Sequence, residues 1–340
     1  MSGLKKVLVT GGAGYIGAHT IVELINSGYE PVALDNLLSS DLTLITGIEK
    51  ITGKKANFHL GDCRNKKFLT DLFRKEGPIH SVMHFAALKS VGESVQKPLA
   101  YHENNIGSLL TLLQVMQEQG AKDLIFSSSC TVYGQPDTIP VDEQAPFKKA
   151  ESPYGLTKQL CEHILEGVHK TGFRIISLRY FNPIGAHPSA HIGELPIGVP
   201  NNLVPFITQT AAGWRDQLIV FGNDYATADG SCIRDFIHVV DLAEAHVKSL
   251  AYLNATGTAQ LYEAFNVGTG SGVSVLQLVN AFIKKTGARL PFRIGPRRPG
   301  DVEQVYANPA KINRVMNWKP RYSPEEALVH AWAWQQKLNR

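Results

Sequence analysis

Tyr154 and Lys158 are the two residues whose types and spacing most directly suggest chemistry. Residues four apart on a helix share one face, so the lysine ammonium can lie beneath the tyrosine phenol. That charge stabilises a phenolate, and together with a positively charged ring bound beside the phenol it would lower the pKa of the tyrosine from ~10 towards neutrality. A phenol with such a pKa can act as a general base on a substrate hydroxyl. On its own the spacing is common, and it also fits a surface tyrosine beside a solvated lysine.

A run of three serines gives this pair its context. Residues 127–129 end a predicted strand, and Ser152 with Pro153 leads into the helix that carries the tyrosine. A hydroxyl at that strand end can hydrogen-bond the substrate hydroxyl and help to relay its proton, a role that we predict for Ser129. The two serines before it are plausible strand-end caps.

Three glycines, Gly11, Gly14 and Gly17, follow the first predicted strand and open the first predicted helix. In a strand-turn-helix, such glycines let backbone amides approach a pyrophosphate, while the helix N-terminus stabilises its charge. Asp35, at the end of the second predicted strand, can accept hydrogen bonds from an adenosine ribose and would repel a 2′-phosphate. The pattern therefore predicts a dinucleotide site that favours NAD over NADP. The alternative is that the glycines serve only a tight turn.

The elements that must position these residues follow from the hydrophobic pattern. Short apolar runs alternate with longer helical patterns over the first half of the chain, which is typical of βαβ units in a parallel sheet. We predict strands at residues 6–10, 31–35, 56–60, 81–86, 123–128, 174–180 and 236–240, and later helices at 206–214, from 241, after 275 and at 324–338. The predicted fold class is α/β, a Rossmann-type doubly wound parallel sheet with a smaller mixed α/β substrate-binding domain.

Composition limits the classes of function. The chain has 340 residues, of which 44% are hydrophobic and 19% charged, as in ordinary globular proteins. A formal net charge of +4 spread along the chain does not indicate nucleic-acid binding. Cys63, Cys130, Cys161 and Cys232 form no CxxC pair, which favours reduced thiols and a cytoplasmic location. We expect no membrane anchor, because the first apolar run is short, and no metal site.

Longer motifs carry a resemblance to a known family. The GxxGxxG spacing at 11–17 and the YxxxK at 154–158 resemble those of the extended short-chain dehydrogenase/reductase superfamily. The motifs that narrow the resemblance to the UDP-glucose 4-epimerases are FSSSCTVYG at 126–134, LRYFNPIGAH at 178–187, PNNL at 200–203, FGNDY at 221–225, RDFIHVVDL at 234–242 and RRPGD at 297–301. The similarity runs from about residue 4 to residue 335. It implies an NAD-dependent isomerase that interconverts UDP-glucose and UDP-galactose through a 4-keto sugar.

The resemblance also implies roles for individual residues, with Tyr154, Lys158 and Ser129 as the catalytic group. The cofactor-binding residues it implies are Gly11, Gly14, Tyr15, Ile16, Gly17, Asp35, Asn36, Leu37, Leu38, Ser39, Asp62, Cys63, Phe85, Lys89, Tyr154, Lys158 and Tyr180. The substrate-binding residues it implies are Ser129, Cys130, Thr131, Tyr180, Phe181, Asn182, Asn202, Leu203, Ile219, Val220, Phe221, Arg234, Arg298, Asp301 and Val305. Residues 1–181 are then the NAD-binding Rossmann domain, to which a strand and helix near 236–267 return, and residues 182–340 are mainly the UDP-sugar-binding domain.

Cys130 and Thr131 bear on the type of reaction. Sugar-nucleotide dehydratases and decarboxylases that share this fold have acidic residues at these places, so their replacement here favours epimerisation. Many family members have Ala in place of Cys130, Lys-Ser in place of residues 156–157 and Thr in place of Ile184. Val305 aligns with the position that decides whether N-acetylhexosamines are accepted, and valine leaves that acceptance open.

Other functions remain open at this stage. A related dehydratase or C4 oxidoreductase would release a 4-keto sugar or consume added cofactor. A dinucleotide-sensing protein with an inactive site would bind NAD without turnover, although the intact Tyr154, Lys158 and Ser129 argue against it. The resemblance further implies tightly bound NAD and a homodimer formed by helices around 99–119 and 159–169. Their apolar stripes would equally suit the core of a monomer.

Overall fold

The computed structural model describes residues 4–298 and 301–338. Up to Tyr180 the elements are β1 (Lys6–Thr10), α1 (Tyr15–Asn26), β2 (Glu30–Asp35), α2 (Leu42–Thr52), β3 (Asn57–Leu60), α3 (Lys66–Glu76), β4 (Ile79–His84), α4 (Val91–Gln96), α5 (Pro98–Gln119), β5 (Asp123–Ser129), α6 (Pro153–Val168) and β6 (Arg174–Tyr180). They continue as β7 (Asn182–Ile184), α7 (Leu203–Ala211), β8 (Leu218–Phe221), β9 (Ile233–Arg234), β10 (Phe236–His238), α8 (Val239–Ala255), β11 (Leu261–Val267), β12 (Val273–Ser274), α9 (Val275–Thr286), β13 (Phe292–Gly295), β14 (Gln304–Val305), α10 (Ala310–Met316) and α11 (Pro324–Leu338). Short 3₁₀ helices cover Cys130–Tyr133 and His169–Thr171.

The chain divides into two compact units. The first comprises the residues up to Gly134, Pro146–Arg179 and Ala243–Phe265, and the second comprises Gln135–Ala145, Tyr180–Leu242 and the residues from Asn266 onward. That the first unit binds NAD and the second binds the UDP sugar stays a prediction, as does the domain boundary between residues 181 and 182.

A seven-stranded sheet in the order β11-β6-β5-β4-β1-β2-β3 organises the first unit. Strands β3, β2, β1, β4 and β5 run parallel, so their carboxyl ends lie at one edge. Strands β1, β2, β4 and β5 are largely buried, as expected for a sheet covered on both faces, whereas β3 at the edge of the sheet is only partly buried. Helix packing extends this core through Leu109, Leu112 and Leu165. This is the α/β, Rossmann-type parallel sheet predicted from the sequence.

The second unit is built from short strands and helices. Its small sheets are β10-β7, β12-β9-β14 and β13-β8. The core of the unit includes Ile207, Phe236, Phe282 and Leu328, contributed by α7, β10, α9 and α11. These strands are two to four residues long, whereas those of the large sheet are four to seven residues long. Most of the apolar burial in this unit therefore comes from the helices.

Some predicted element boundaries were displaced. The strand predicted at 81–86 lies at Ile79–His84, and the helix predicted at 206–214 begins three residues earlier, at Leu203. Pro205 lies in the first turn of this helix, where proline is tolerated because its missing N–H would have no intrahelical partner. The strands at 6–10 and 174–180 and the helix at 324–338 were predicted with the observed bounds. No helix among the described residues has the length and apolar character needed to cross a membrane.

Candidate active site

The glycine loop joins β1 to α1 and is packed too closely for larger side chains. A Cβ on Gly17 would lie 2.1 Å from the carbonyl oxygen of Gly11, and one on Gly11 would lie 2.8 Å from the Ala86 nitrogen. Gly11 also has a φ of +72°, in the left-handed region that favours glycine. No described side chain caps the N-terminus of α1, and its first turn contains no acidic residue. The loop and the helix dipole therefore suit a bound pyrophosphate.

Asp35 ends β2 and is nearly buried, with an exposed fraction of 9%. Its carboxylate accepts hydrogen bonds from the Ala13 N–H at 3.1 Å, the Leu37 N–H at 2.9 Å and the Ser40 hydroxyl at 2.7 Å. A carboxylate has about four lone-pair positions, so it retains acceptor capacity for a ribose hydroxyl. It thus holds the glycine loop and the loop after β2 in place while remaining suited to the predicted ribose contact.

The predicted adenine-side residues follow β2 and β3. Asp62 accepts from the Arg64 guanidinium, with Nη2 to Oδ2 at 2.8 Å, and from the Asn36 amide at 3.1 Å. The Arg64 hydrogen bond is the main reason why the pKa of Asp62 falls to about 2. Burial raises the pKa of the Cys63 thiol to about 12, so this thiol remains protonated and contributes as an apolar surface. Leu38 is largely exposed beside this group.

The end of β4 contributes the other predicted cofactor contacts. The Phe85 ring lies 4.7 Å from that of His246, and the exposed Lys89 ammonium lies 6.0 Å from the centroid of Tyr15. His84 packs inside the strand layer, with Nδ1 2.7 Å from the Thr10 hydroxyl. Burial lowers the pKa of His84 to about 3, so this histidine is a neutral packing residue.

Ser129 stands where β5 passes into the 3₁₀ helix Cys130–Tyr133. Its hydroxyl accepts from the Thr131 N–H at 3.2 Å and caps that helix. Ser129 also hydrogen-bonds the Tyr154 phenol. The buried Thr131 hydroxyl has no hydrogen-bond partner among the described residues, which is expected of a group positioned for a ligand. Cys130 follows as a partly exposed cysteine that forms no disulfide.

Tyr154 and Lys158 occupy the first turns of α6, as the sequence predicts. Ser152 caps the helix by accepting from the Gly155 N–H at 3.1 Å, and Pro153 occupies the first turn. The Lys158 ammonium is 5.9 Å from the centroid of the Tyr154 ring and donates to the Ser127 carbonyl oxygen at 2.6 Å. The tyrosine, the lysine and the serine-bearing strand end are therefore held together in one constellation.

The protein groups alone do not give Tyr154 the pKa of a general base. Burial raises the pKa of Tyr154, while its hydrogen bond with Ser129 acts in the lowering direction. Removal from water outweighs that hydrogen bond. The expected pKa near neutrality counts the charge of a bound cofactor ring as well as that of Lys158, and it stays a prediction. Burial lowers the pKa of Lys158 to about 8. A positive charge bound near the phenol is needed to bring Tyr154 towards neutrality.

The predicted nucleotide-binding residues of the second unit also lie together. The Arg298 guanidinium donates to Asp301 at 2.6 Å, and the Arg234 guanidinium lies 3.7 Å from the same carboxylate. Phe221 is 40% exposed, and its ring centre lies 5.9 Å from the Arg298 guanidinium. Paired guanidinium groups beside an exposed aromatic ring suit a diphosphate and a nucleobase.

The small sheets set the positions of the remaining predicted contacts. Val305 pairs with Arg234 across β14 and β9 and is nearly buried. Ile219 is half-buried in β8, whereas Val220 belongs to the hydrophobic core, so its side chain faces away from solvent. A ligand at this strand can therefore meet Val220 through the backbone alone.

The remaining predicted substrate-binding residues lie between Tyr180 and Leu203. Tyr180 and Phe181 are buried. The buried side-chain oxygen of Asn182 has no hydrogen-bond partner among the described residues, which again fits a ligand-facing group. Asn202 donates to Glu194 at 2.6 Å immediately before Leu203 begins α7.

Asp235 is a buried residue whose importance the sequence analysis missed. Its carboxylate accepts from the Thr269 N–H at 2.8 Å, the Gly270 N–H at 3.0 Å and the Ala307 N–H at 3.1 Å. These bonds fix the segments next to Arg234 and β14. The one sequence signal for Asp235 is its position directly after Arg234 in the RDFIHVVDL motif. Its three hydrogen-bond partners could not be predicted, because they are distant in sequence.

The buried ion pair between Glu162 and Arg179, 2.7 Å from Nη2 to Oε2, was also missed. It lies one helical turn after Lys158, and nothing in the local sequence indicates that the two charges meet. Among residues 4–298 and 301–338, no group of three or more His, Cys, Asp or Glu side chains is arranged to hold a metal ion.

Comparison with known proteins places this site in a family. A family model described as GDP-mannose 4,6 dehydratase matches residues 8–330. The UDP-glucose 4-epimerase of Bacillus subtilis (strain 168) is 49% identical over 332 residues, which are 97% of this chain and 96% of that protein.

Two crystal structures of UDP-glucose 4-epimerases are closely similar to this structure. The enzyme from Bifidobacterium longum, in complex with NAD+ and UDP, has a TM-score of 0.94, 42% identity and 98% coverage of both chains. The enzyme from Stenotrophomonas maltophila, with bound NAD and formylated UDP-arabinopyranose, has a TM-score of 0.95, 46% identity and 99% coverage of both chains.

The dehydratase name of the family model and the epimerase names of the relatives describe one fold with different chemistry. The two residues that follow Ser129 are Cys130 and Thr131, and neither carries the carboxylate that the sequence analysis associates with dehydratases. The relatives match nearly the whole chain at high identity. The chain therefore belongs to the family that this model describes and, within it, to the UDP-glucose 4-epimerases.

Proposed function

We propose that this chain interconverts UDP-glucose and UDP-galactose by transient oxidation at C4, with NAD retained through each cycle. The observation that carries the proposal is the constellation of Ser129, Tyr154 and Lys158, in which a hydroxyl, a phenol and a buried ammonium are held at one strand end. Family membership supports the same activity. The individual residue roles below are proposals of the same kind.

The chain's own groups fit NAD. The glycine loop leaves no room for a Cβ at Gly11 or Gly17, and the N-terminus of α1 is suited to a pyrophosphate. Asp35 disfavours a 2′-phosphate by charge. When bound, NAD accepts the hydrogen of C4 as hydride and later returns it, and its positive ring lowers the pKa of a nearby phenol.

Tyr154 is the proposed base for the O4 proton. Ser129 hydrogen-bonds its phenol and would relay the proton from the sugar hydroxyl. Lys158 keeps the phenolate stable through its positive charge, and its hydrogen bond to the Ser127 carbonyl fixes its direction. The same phenol returns the proton when the sugar is reduced, so no net acid or base is consumed.

Arg234, Arg298 and Asp301 are the proposed anchors of UDP. The two guanidinium groups would clamp the diphosphate, and Asp301 would accept from ribose hydroxyls. The nucleotide would be held firmly, while the keto sugar attached to it would have few contacts of its own. The sugar can therefore rotate and present the other face of C4 for reduction. Reduction of that face gives the C4 epimer.

The substituent at C2 depends on Val305. Valine is intermediate in size, and its place beside Arg234 on the paired strands β9 and β14 puts it next to a proposed nucleotide anchor. We propose that UDP-N-acetylhexosamines are accepted, but more slowly than UDP-hexoses. A comparison of initial rates with UDP-galactose and UDP-N-acetylgalactosamine tests this, and equal rates would contradict it.

The direct test of the function is to mix the purified protein with UDP-galactose, without added NAD, and to follow UDP-glucose by chromatography. We expect conversion to an equilibrium mixture. A related dehydratase would instead release a 4-keto sugar, and a dinucleotide-sensing protein would produce no conversion. Either result would contradict the proposal.

We also propose a homodimer. Helices α4, α5 and α6 leave several large apolar side chains exposed, namely Val91, Val95, Leu99, Leu110, Leu156 and Leu160. Contiguous exposed apolar side chains on packed helices are typical of an interface, and a two-fold axis would pair each set with its copy. The four cysteines are free thiols, which supports a cytoplasmic location.

A further inference from the structure

Glu162 is a buried carboxylate on α6, one helical turn beyond Lys158. Only 1% of it is exposed. It accepts a hydrogen bond from the Ser128 hydroxyl and another from the Tyr262 hydroxyl at 2.9 Å. The Arg179 guanidinium binds it through Nε at 3.0 Å and through Nη2 at 2.7 Å. A buried carboxylate with this many partners is fixed in position.

Arg179 connects the carboxylate to a second segment. Its Nη1 donates to the Tyr133 hydroxyl at 2.9 Å, and its guanidinium lies 4.9 Å from the centre of the Phe147 ring. Tyr133 closes the short 3₁₀ helix that begins at Cys130. The ion pair thus joins α6 to the end of β5, to this 3₁₀ helix and to the end of β6.

Each of these segments carries a proposed active-site residue next to its contact with the pair. Ser128 precedes Ser129, and Arg179 precedes Tyr180. The helix that presents Glu162 also presents Tyr154 and Lys158. Neither residue is among the proposed reacting groups, so the pair is expected to influence the reaction through its neighbours.

We propose that Glu162 and Arg179 are positioning residues for the C4 chemistry, holding β5 and α6 in register and keeping the Lys158 charge in balance; the inference rests on the proposed function. In the interior, a carboxylate one helical turn away favours the protonated ammonium, and the adjacent guanidinium offsets the cost of burying that carboxylate.

The groups that act on Lys158 make the sign of this effect clear. Burial lowers the pKa of Lys158, whereas Glu162 and Cys161 raise it. Tyr154 faces the ammonium from the same helix, and the neutral His84 faces it from β4. Glu162 is the buried carboxylate among these groups, so neutralising it leaves Arg179 uncompensated and favours loss of the Lys158 proton.

The test is the pH dependence of kcat in the NAD-loaded enzyme. In Glu162→Gln, the fall of kcat at high pH should begin about one pH unit lower than in the wild type. Glu162→Asp keeps the charge but shortens the side chain, so kcat should fall about tenfold with the midpoint unchanged. The double variant Glu162→Gln/Arg179→Gln restores charge balance and should also keep the wild-type midpoint. Glu166→Gln, an exposed change one turn further along α6, is the matched control and should change neither quantity.

A purely structural role would lower kcat in Glu162→Gln and Glu162→Asp without moving either midpoint, and that outcome would overturn the proposal. Trace acetylation of Lys158, followed against pH by mass spectrometry, reports the same midpoint without turnover. If Glu162→Gln does not fold, Arg179→Gln takes its place. Leaving the Glu162 charge without its guanidinium should move the midpoint about one pH unit higher, and an unmoved midpoint overturns the proposal. Failure of the wild type to convert UDP-galactose would instead contradict the proposed function, while the acetylation midpoints would still decide the positioning roles.

Discussion

The Lys158 ammonium donates a hydrogen bond to the Ser127 carbonyl oxygen at 2.6 Å, from a side chain of which only 3% is exposed. This bond ties α6 to β5 two residues before Ser129. It also holds a positive charge near the Tyr154 ring, where burial would otherwise keep the phenol protonated. The relationship makes the lysine both a structural tie and an electrostatic partner of the proposed base.

The first prediction concerns pH. Burial lowers the pKa of Lys158 to about 8, so the ammonium loses its proton, and the phenolate its stabilising charge, as pH rises through that value. We therefore expect kcat for UDP-galactose to fall as the pH rises above this value. Lys158→Arg keeps its charge to much higher pH and should move the fall upward, at a lower maximal rate. A wild-type profile that stays level to about pH 10 would contradict this role for the lysine.

The second prediction concerns the proposed base. Tyr154→Phe removes the phenol while preserving the ring, so kcat should fall by a factor of about 10³ or more. Binding of UDP, measured by calorimetry, should remain close to that of the wild type. Tyr29→Phe removes a hydroxyl that accepts from Asn254, distant in the sequence from the YxxxK motif, and serves as the control. Retained activity in Tyr154→Phe would show that another group takes the O4 proton.

The third prediction concerns Asp235. In the wild type, the Asp235 carboxylate accepts from three backbone N–H groups. Asp235→Asn replaces one of its oxygens with an NH₂ group that cannot accept, which should lower the free energy of unfolding by about 2 kcal/mol. Because these bonds fix the surroundings of Arg234, the KM for UDP-galactose should rise more than kcat falls. Enzyme kinetics and thermal unfolding measure the two effects. Asp216→Asn, an exposed change, is the control, and a loss confined to kcat in Asp235→Asn would refute the connection to nucleotide binding.

The fourth prediction concerns assembly. Val95→Glu and Leu99→Glu each place a charge on the exposed apolar face of α4 and α5, so they should convert a dimer into monomers. Light scattering gives the mass directly. Leu42→Glu, at an exposed position on α2, should leave the mass unchanged. A wild-type protein that is monomeric at all concentrations would rule out the proposed homodimer.

Much of the fold was predictable because local pattern and tertiary role agree. Strand β1 is an apolar run, and the glycines that follow it are needed because the backbone segments approach each other closely there. The YxxxK motif lies at the start of a helix, which Ser152 and Pro153 indicate in the sequence. Predicted helix boundaries were wrong where a residue type fits two structures. Pro205 fits a break in regular structure but lies in the first turn of α7.

The unpredicted features depend on contacts between distant residues. Glu162 and Arg179 are 17 positions apart, and each would be taken for a surface charge in isolation. The burial that raises the pKa of the Tyr154 phenol could not be predicted either, because the sequence spacing shows the lysine but not the degree of burial. Likewise, the core position of Val220 in β8 depends on packing by other elements of its unit.

The central claim is that C4 is oxidised and reduced by the same tightly held NAD. The most direct measurement is to supply UDP-galactose labelled with deuterium at C4, in ordinary water and without added cofactor, and to examine the UDP-glucose formed by mass spectrometry and NMR. We predict that the deuterium is retained at C4 of the product. Loss of the label to water, or release of a labelled cofactor with a 4-keto sugar, would contradict the account.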